Sequence, residues 1–516
     1  SPNTTHVFGN VTQTASGTGK FNLLFGKSIK LSGTAPTLSI AGQNYTIINQ
    51  ANLQYTADNF VPAGLYALVQ DVDASSYPLS NFKGLAGGAT FTGRFEGLGN
   101  HISNLTINTF APSSGLNLGL FAVIGTTGVV SNLGLLNGVV TSLGSAEALG
   151  TLAGVNQGLI LKSYSGLNIS AGTGAKAVGG LVGINQGTIQ NSFAKGSLTG
   201  GDGILAMGGL SGISTGTIRE SFAMGNLAVG ANAGGVGTAS LGIGGLVGYA
   251  QGLAIGVYAN GSVTASTNAR GLGGLIGYAQ GLTLNKSYAT GSLTMSGSAQ
   301  NVGGLIGETY NTSVQNSYAT GGIQVSGSGT DVGNFVGLHR NNSISQSYAT
   351  GSVTLGTGTT QGFYGSNNSA GVFTNNFWNT TSSGIASNPS KSGITGLNGA
   401  QMQTFSTFLN AGWDSTVWVQ ISGQNNDYPV MGIGHSALYV KANTGSSIYG
   451  TTPNLTYQVF NLPQAIPNPN SITPFLEPIE AIGYSLTGMP AWKITQGAAA
   501  VLGTTLTALN AACLLY

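Results

Sequence analysis

Residues 273–294 read GGLIGYAQGLTLNKSYATGSLT, and close variants of this phrase recur along much of the chain. Its glycine opening starts at Gly150, Gly179, Gly208, Gly244, Gly273, Gly303 and Gly333, with spacings of 29, 29, 36, 29, 30 and 30. An aromatic marker follows each opening, at Tyr164, Phe193, Phe222, Tyr258, Tyr288, Tyr318, Tyr348 and then Phe377, at 29, 29, 36, 30, 30, 30 and 29. Two separate markers therefore keep one period. The long interval holds GANAGGVGTAS (230–240), which reads as an expanded loop on an otherwise regular coil.

A fixed period of this length means stacked supersecondary units, and the local pattern decides which kind. Each unit carries short β-favouring runs such as GSVTAS, GSLTMS and GSVTLG, with breaks at Gly, Asn or Ser. Helical periodicity over ten or more residues is missing. The pattern predicts an all-β chain forming a β-solenoid, a parallel β-helix in which one coil of ~30 residues is one repeat. Coils stacked at about 4.8 Å turn equivalent positions into ladders. Leu152, Leu181, Leu210, Leu246, Leu275 and Leu305, closed by Phe335, are expected to line the core. The aromatic column from Tyr164 to Phe377 is expected to stack beside them, each ring burying on the order of 150 Å².

Composition fits such a stack. Of 516 residues 86 are Gly, and charged side chains make up 5% against a hydrophobic fraction of 41%. Like charges in register would repel along a whole ladder, so a solenoid must solvate itself with Ser, Thr, Asn and backbone amide. A net charge of +2 leaves no basic footprint for nucleic acid. The one cysteine, Cys513, rules out an internal disulfide framework. Ser1 opens without a basic and apolar leader, which suggests a secreted product with its export signal removed. The apolar tail GAAAVLGTTLTALNAACLLY has the length of a membrane span, but its Gly and Thr content and lack of a basic stop read as β-domain packing, so no span is expected.

The phrases GGLVGINQGTIQNSFAKGSL and GGLIGYAQGLTLNKSYATGSL closely resemble the GLUG repeats of large bacterial surface proteins and secreted adhesins. Upstream, YALVQDVDAS (66–75) and FTGRFEGLGNHISNLTI (91–107) resemble the lead-in of those arrays, and NNFWNTTSSG with the segment GLNGAQMQTF to NNDYPVM resembles their closing part. The resemblance spans roughly residues 60–432 and implies an extracellular or cell-surface location. From 437 onward, Tyr449, Gly450, Pro453, Leu455, Thr456 and Tyr457 are similar to the YG turn and L-T-Y strand of the bacterial immunoglobulin-like MBG domain, although the proline-rich middle departs from it. The resulting division is an N-terminal cap or irregular first coils at 1–60, lead-in coils at 61–149, and repeats at 150–380. A closing segment at 381–436 and a small β-sandwich-like domain at 437–516 complete it.

Catalytic groups are sparse. A glycosidase needs two carboxylates about 5–9.5 Å apart, yet Glu308 and Asp331 lie 23 residues apart and Asp202 and Glu220 lie 18 apart, so neither pair stacks by period. Asp71 and Asp73 share a strand face and could hold Ca²⁺, or cap a turn. His6, His101, His339 and His435 are widely separated, unlike a zinc site. Thr199, Thr264, Thr294 and Thr354 share a phase that Gln324 interrupts, short of the flat array ice binding needs. No cofactor, metal or enzymatic activity is expected, and a polysaccharide-degrading helix is the weaker alternative. Two functions remain open. One is a structural, adhesive protein stacking head to tail with copies of itself into fibres. The other is a monomeric adhesin binding a glycan or host surface through loops such as 230–240 or exposed aromatics.

Overall fold

The computed structural model describes residues 27–431 apart from the short stretches 33–35, 54–59, 77–78, 81–84, 110–114, 236–240, 368–370, 387–390 and 422, and beyond that range residue 23 and the outlying strands. The chain divides into Ser1–Gly399 and Ala400–Tyr516.

The first unit is a β-solenoid of about 10 turns. One coil is built from the short strands Ala177–Gly179, Val182–Asn185, Thr188–Gln190, Phe193–Ala194 and Leu198–Gly200. Each pairs in parallel with the strand of the same phase one coil on: Val178 with Met207, Ile184 with Ile213, Ile189 with Ile218, Phe193 with Phe222 and Leu198 with Leu227. The 36-residue interval leaves this register intact, because Gly208 still faces Gly244 and the surplus lies between Leu227–Val229 and Gly242–Gly244. In later coils the short strands fuse, as in Ile276–Ala289.

The recurring phrase is explained at residues 273–277. Leu275 points inward and is fully buried, and its N–H donates to the Leu305 carbonyl (2.9 Å), as Leu246 does to Leu275 (2.8 Å) and Leu305 to Phe335 (2.9 Å). The ladder runs unbroken from Leu152 through Leu181 and Leu210 to Phe335, and Phe363 continues it. A Cβ on Gly274 would collide with the carbonyl oxygen of Gly304, and one on Gly277 with the backbone of Gly242 and Ile243 in the preceding coil. Glycine is required because coil backbones touch at this corner, leaving no room for a side chain.

Two further columns hold the turns. A residue with φ between 48° and 64° ends the third strand of each coil: Asn132, Lys162, Asn191, Glu220, Gly256, Lys286, Asn316, Gln346 and Asn375. This left-handed conformation costs a non-glycine residue about 1–2 kcal/mol, and it turns the chain toward the next strand. A buried serine follows in six of these coils, and Leu133, Val257 and Asn376 take its place in the others. The Ser163 N–H donates to Ser192 Oγ (3.1 Å), Ser192 N–H to Ser221 Oγ (3.1 Å), and Ser317 N–H to Ser347 Oγ (3.2 Å). Each hydroxyl in turn donates to the carbonyl two residues before it, as Ser192 does to Gln190 (2.8 Å) and Ser221 to Arg219 (2.7 Å). Corner amides that the sheet cannot reach are thereby satisfied from the neighbouring coil.

At the first end, Gln43–Ile48 pairs in parallel with Leu65–Leu68 and antiparallel with Thr37–Ile40, placing a hairpin on that sheet edge. Leu31, Leu38, Tyr45, Ala67, Val69 and Leu98 form a second, smaller core outside the solenoid wall. Beneath it Glu96 is buried, accepting from Ser131 Oγ (2.7 Å), Asn132 Nδ2 (2.8 Å) and the Leu98 N–H (2.9 Å). At the other end, Ile394–Leu397 pairs on Asn376–Asn379.

In the second unit Phe408, Trp413 and Trp418 pack together, with centroids 4.7 and 4.5 Å apart, and Trp418–Val419 pairs antiparallel with Val430–Met431. Ala437–Ala442 lies between Tyr457–Phe460 and Thr505–Ala508, and Phe475–Ile479 pairs with Ala491–Thr495. Cys513, His435 and the YG-turn residues Tyr449, Gly450, Pro453, Leu455 and Thr456 lie outside the described residues, as do 236–240 of the expanded loop.

Gly274→Ala should lower stability by about 1–3 kcal/mol, the cost of overpacking, in denaturant unfolding of the whole chain; an unchanged midpoint would contradict the backbone contact. A second expectation concerns Glu96, whose pKa burial raises above 4.5 despite three donors. The native state then holds more protons than the unfolded chain as pH rises from 4.5 through the native value. Stability relative to Glu96→Gln should therefore fall with rising pH across that window and recover on acidification, measured by unfolding both proteins from pH 4 to 8.

Candidate side-wall site

The aromatic column keeps its register but stands on the other side of the wall from the leucines. Ring centroids are 5.0 Å apart for Tyr164–Phe193, 4.7 Å for Phe193–Phe222, 4.6 Å for Phe222–Tyr258, 4.8 Å for Tyr258–Tyr288 and Tyr288–Tyr318, and 5.1 Å for Tyr318–Tyr348. Phe377 follows Tyr348 in register. Their chain neighbours, such as Val257 and Ala259, are the residues that enter the core. The rings therefore face outward, half-buried at Tyr164, Phe222, Tyr258 and Tyr288 and fully covered at Tyr348. The reason is period-two alternation: the corner needs its serine inside, which sends the next residue out. The stack beside the leucines that the period predicts is present, and the inward corner residue before each ring sets the side of the wall on which it stands.

Another outward column carries the break in the repeat. It holds Val155, Ile184 and Ile213, then changes to Tyr249, Tyr278 and Glu308. Tyr249 and Tyr278 meet edge to face at 5.4 Å, unlike the parallel stack of the long column. The Tyr249 hydroxyl donates to Gln280 Oε1 (2.8 Å) and accepts from Gln251 Nε2 (2.6 Å). Glu308, 3% exposed, accepts from Asn301 Nδ2 (2.5 Å) and lies 3.2 Å from Arg340 Nη1 and 3.9 Å from Arg270 Nη2. Tyr310 stands in register with Arg340 and is 40% exposed. Burial, then the Glu308 carboxylate, push the Tyr278 phenol above 10.0, against the opposing pull of Arg340.

Arg270 reaches Glu308 across a corner, because it belongs to the adjoining wall, where it lines a groove of about 390 Å³ with Asn268, Ser298, Gln300, Ser328 and Thr330. Among the described residues Arg270 Nε and Asn301 Oδ1 are buried without a hydrogen-bond partner. Tyrosines, two guanidiniums, a carboxylate and a hydroxyl- and amide-lined groove thus converge over coils 249–340. Sequence spacing concealed this, since Arg270, Glu308 and Arg340 keep different phases. The legible signal was the change from INQG and ISTG to YAQG in the repeat itself.

Other candidates are committed to structure. Asp71 pairs with Lys30 Nζ (2.6 Å) and His101 Nδ1 (3.0 Å), and Asp73 accepts from the Ser75 N–H and Asn104 Nδ2, both at 2.9 Å. The Asp73 bonds are those of a turn cap, and Asp71 is held between Lys30 and His101. His339 is buried beside Phe373, with ring centroids 4.7 Å apart. Among the described residues no group of three metal-ligating side chains gathers, and no helix is long and apolar enough to cross a membrane.

The chain matches the GLUG motif family over residues 174–199 and 298–326. No curated protein matches the sequence. Among solved structures it is similar to a Bacteroides ovatus protein described as a "putative immunoglobulin A1 protease", at 15% identity and a TM-score of 0.30, over 76% of this chain and 93% of that one. A likeness so distant bears on no activity. What stands is a β-solenoid that carries the GLUG motif.

Proposed function

We propose that this chain is an extracellular structural and adhesive solenoid, without enzymatic activity, that acts as a stiff spacer and presents a contact surface on its side wall. The observation that carries this reading is the continuity of the ladders. Leucine, serine and aromatic columns run through successive coils, so the interior is filled and most polar side chains there are used in bonds between coils. The outer rows are Thr, Ser, Asn and Gln, a surface fit for contact and poor in charge. Glu308 has two arginines as its ionic partners, an arrangement unlike the paired acids of a glycosidase.

A second reading, head-to-tail assembly into fibres, is favoured by Val353–Gln361. This nine-residue strand pairs, among the described residues, only with Ile323–Gly333 of the coil before it. A strand with one bonded edge is a template for another chain, and unlike ends generate an open filament. The segment 437–516, which resembles an MBG domain, would be the connector between copies.

Negative-stain electron microscopy of the whole chain and of a chain lacking 437–516 separates the two. Filaments that disappear on truncation establish assembly through that segment. Single short rods in both samples remove the fibre reading and leave the side wall as the functional surface.

A further inference from the structure

We infer that the side-wall patch around Arg270, Tyr310 and Arg340 binds a carboxylate-bearing glycan, a saccharide with a uronic- or sialic-acid residue. The inference rests on the adhesive reading and names its ligand. One carboxylate, Glu308, faces two guanidiniums, and only Arg340 is within close contact at 3.2 Å while Arg270 stands at 3.9 Å. Two guanidiniums offer about ten N–H donors in planar forks, many more than one carboxylate can accept. The two guanidiniums therefore keep spare donors suited to bidentate capture of a second carboxylate. The Arg340 side chain is 35% exposed, and Tyr310 beside it is 40% exposed, so the donors and a ring face are within reach of a ligand.

The rest of the patch specifies hydroxyls. Asn268, Ser298 and Ser328 form one row of the groove and Arg270, Gln300 and Thr330 another, one residue of each per coil. Rows repeating at the coil spacing of about 4.8 Å suit a ligand whose hydroxyls also repeat along a chain. An apolar peptide or a lipid would find few partners there. Arg270 joins the two halves, lining the groove and meeting Glu308 through Nη2. The buried and unpartnered Arg270 Nε and Asn301 Oδ1 lie at this junction, where the polar network is incomplete within the protein itself.

The test is isothermal titration of the whole chain with sialic-acid- and uronic-acid-terminated oligosaccharides and with their neutral counterparts. Acidic probes should bind, and neutral ones at least about tenfold more weakly, with binding falling as salt screens the contact. Arg340→Gln and Tyr310→Ala should each weaken binding about tenfold or more, the scale of one lost charged or aromatic anchor. Tyr310 is exposed, so its variant keeps the fold if Arg340→Gln does not. Lys176→Gln, which removes a cation paired with Glu147 elsewhere on the rod, should change nothing. Equal binding of neutral and acidic probes, or binding that survives both patch variants, overturns the inference and leaves adhesion standing. If no probe binds but the chain is still retained on glycan-coated surfaces, the ligand class is wrong. If it is not retained either, the adhesive reading falls with it.

Discussion

Every coil of this protein must offer the next one the same backbone at the same height, and most of its unusual composition follows from that condition. Where coil backbones touch, as at Gly274 and Gly304, a side chain has no space. Where the chain turns a corner, the amide left without a sheet partner is met by a serine hydroxyl from the adjacent coil, so serine is found inside the wall. Charge is scarce because any charge placed in a repeating column would face its own kind one coil away. Stability is distributed along such a stack as a sum of contacts between neighbours. A local defect therefore weakens a coil and its two neighbours before it affects the rest.

Much of this was legible in the sequence. The two spacing series gave the period, the coil and the leucine ladder, and the 36-residue interval was correctly placed as a loop because Gly208 and Gly244 still pair. The corner was harder. Lys162, Glu220 and Lys286 occupy left-handed positions that turn chemistry assigns to Gly or Asn. Nothing about these residue types announces the conformation, which the stacked coils impose. The aromatic stack was legible from its period, but the side of the wall it occupies follows from the inward residue before each ring, serine in most coils and Val257 or Asn376 in two.

The side-wall patch marks the boundary of reasoning by period. Residues in one column are neighbours because they are a coil apart, and that logic speaks only of residues at the same phase. It is silent about Arg270 and Glu308, which stand on adjoining walls and meet across a corner. A solenoid can thus build a local polar site from residues at unrelated phases, while each obeys its own ladder. The change of one outward column from valine and isoleucine to tyrosine and glutamate is where the chain departs from pure repetition. A repeating scaffold thereby acquires a distinct place on its side wall.

The register of successive coils is the claim on which the rest depends, and a cysteine pair tests it directly. Thr264 faces Thr294 in the next coil, and Thr294 faces Gln324 in the coil after that. In a Cys513→Ser background, Thr264→Cys with Thr294→Cys should close a disulfide on mild oxidation, because in-register parallel strands fall within the Cα separation of about 4.4–6.8 Å that the bond requires. Thr264→Cys with Gln324→Cys, two coils apart, should stay open within the chain. Mass spectrometry of the oxidised proteins reads both results. A bridge in the second pair, or none in the first, would contradict the coil as drawn.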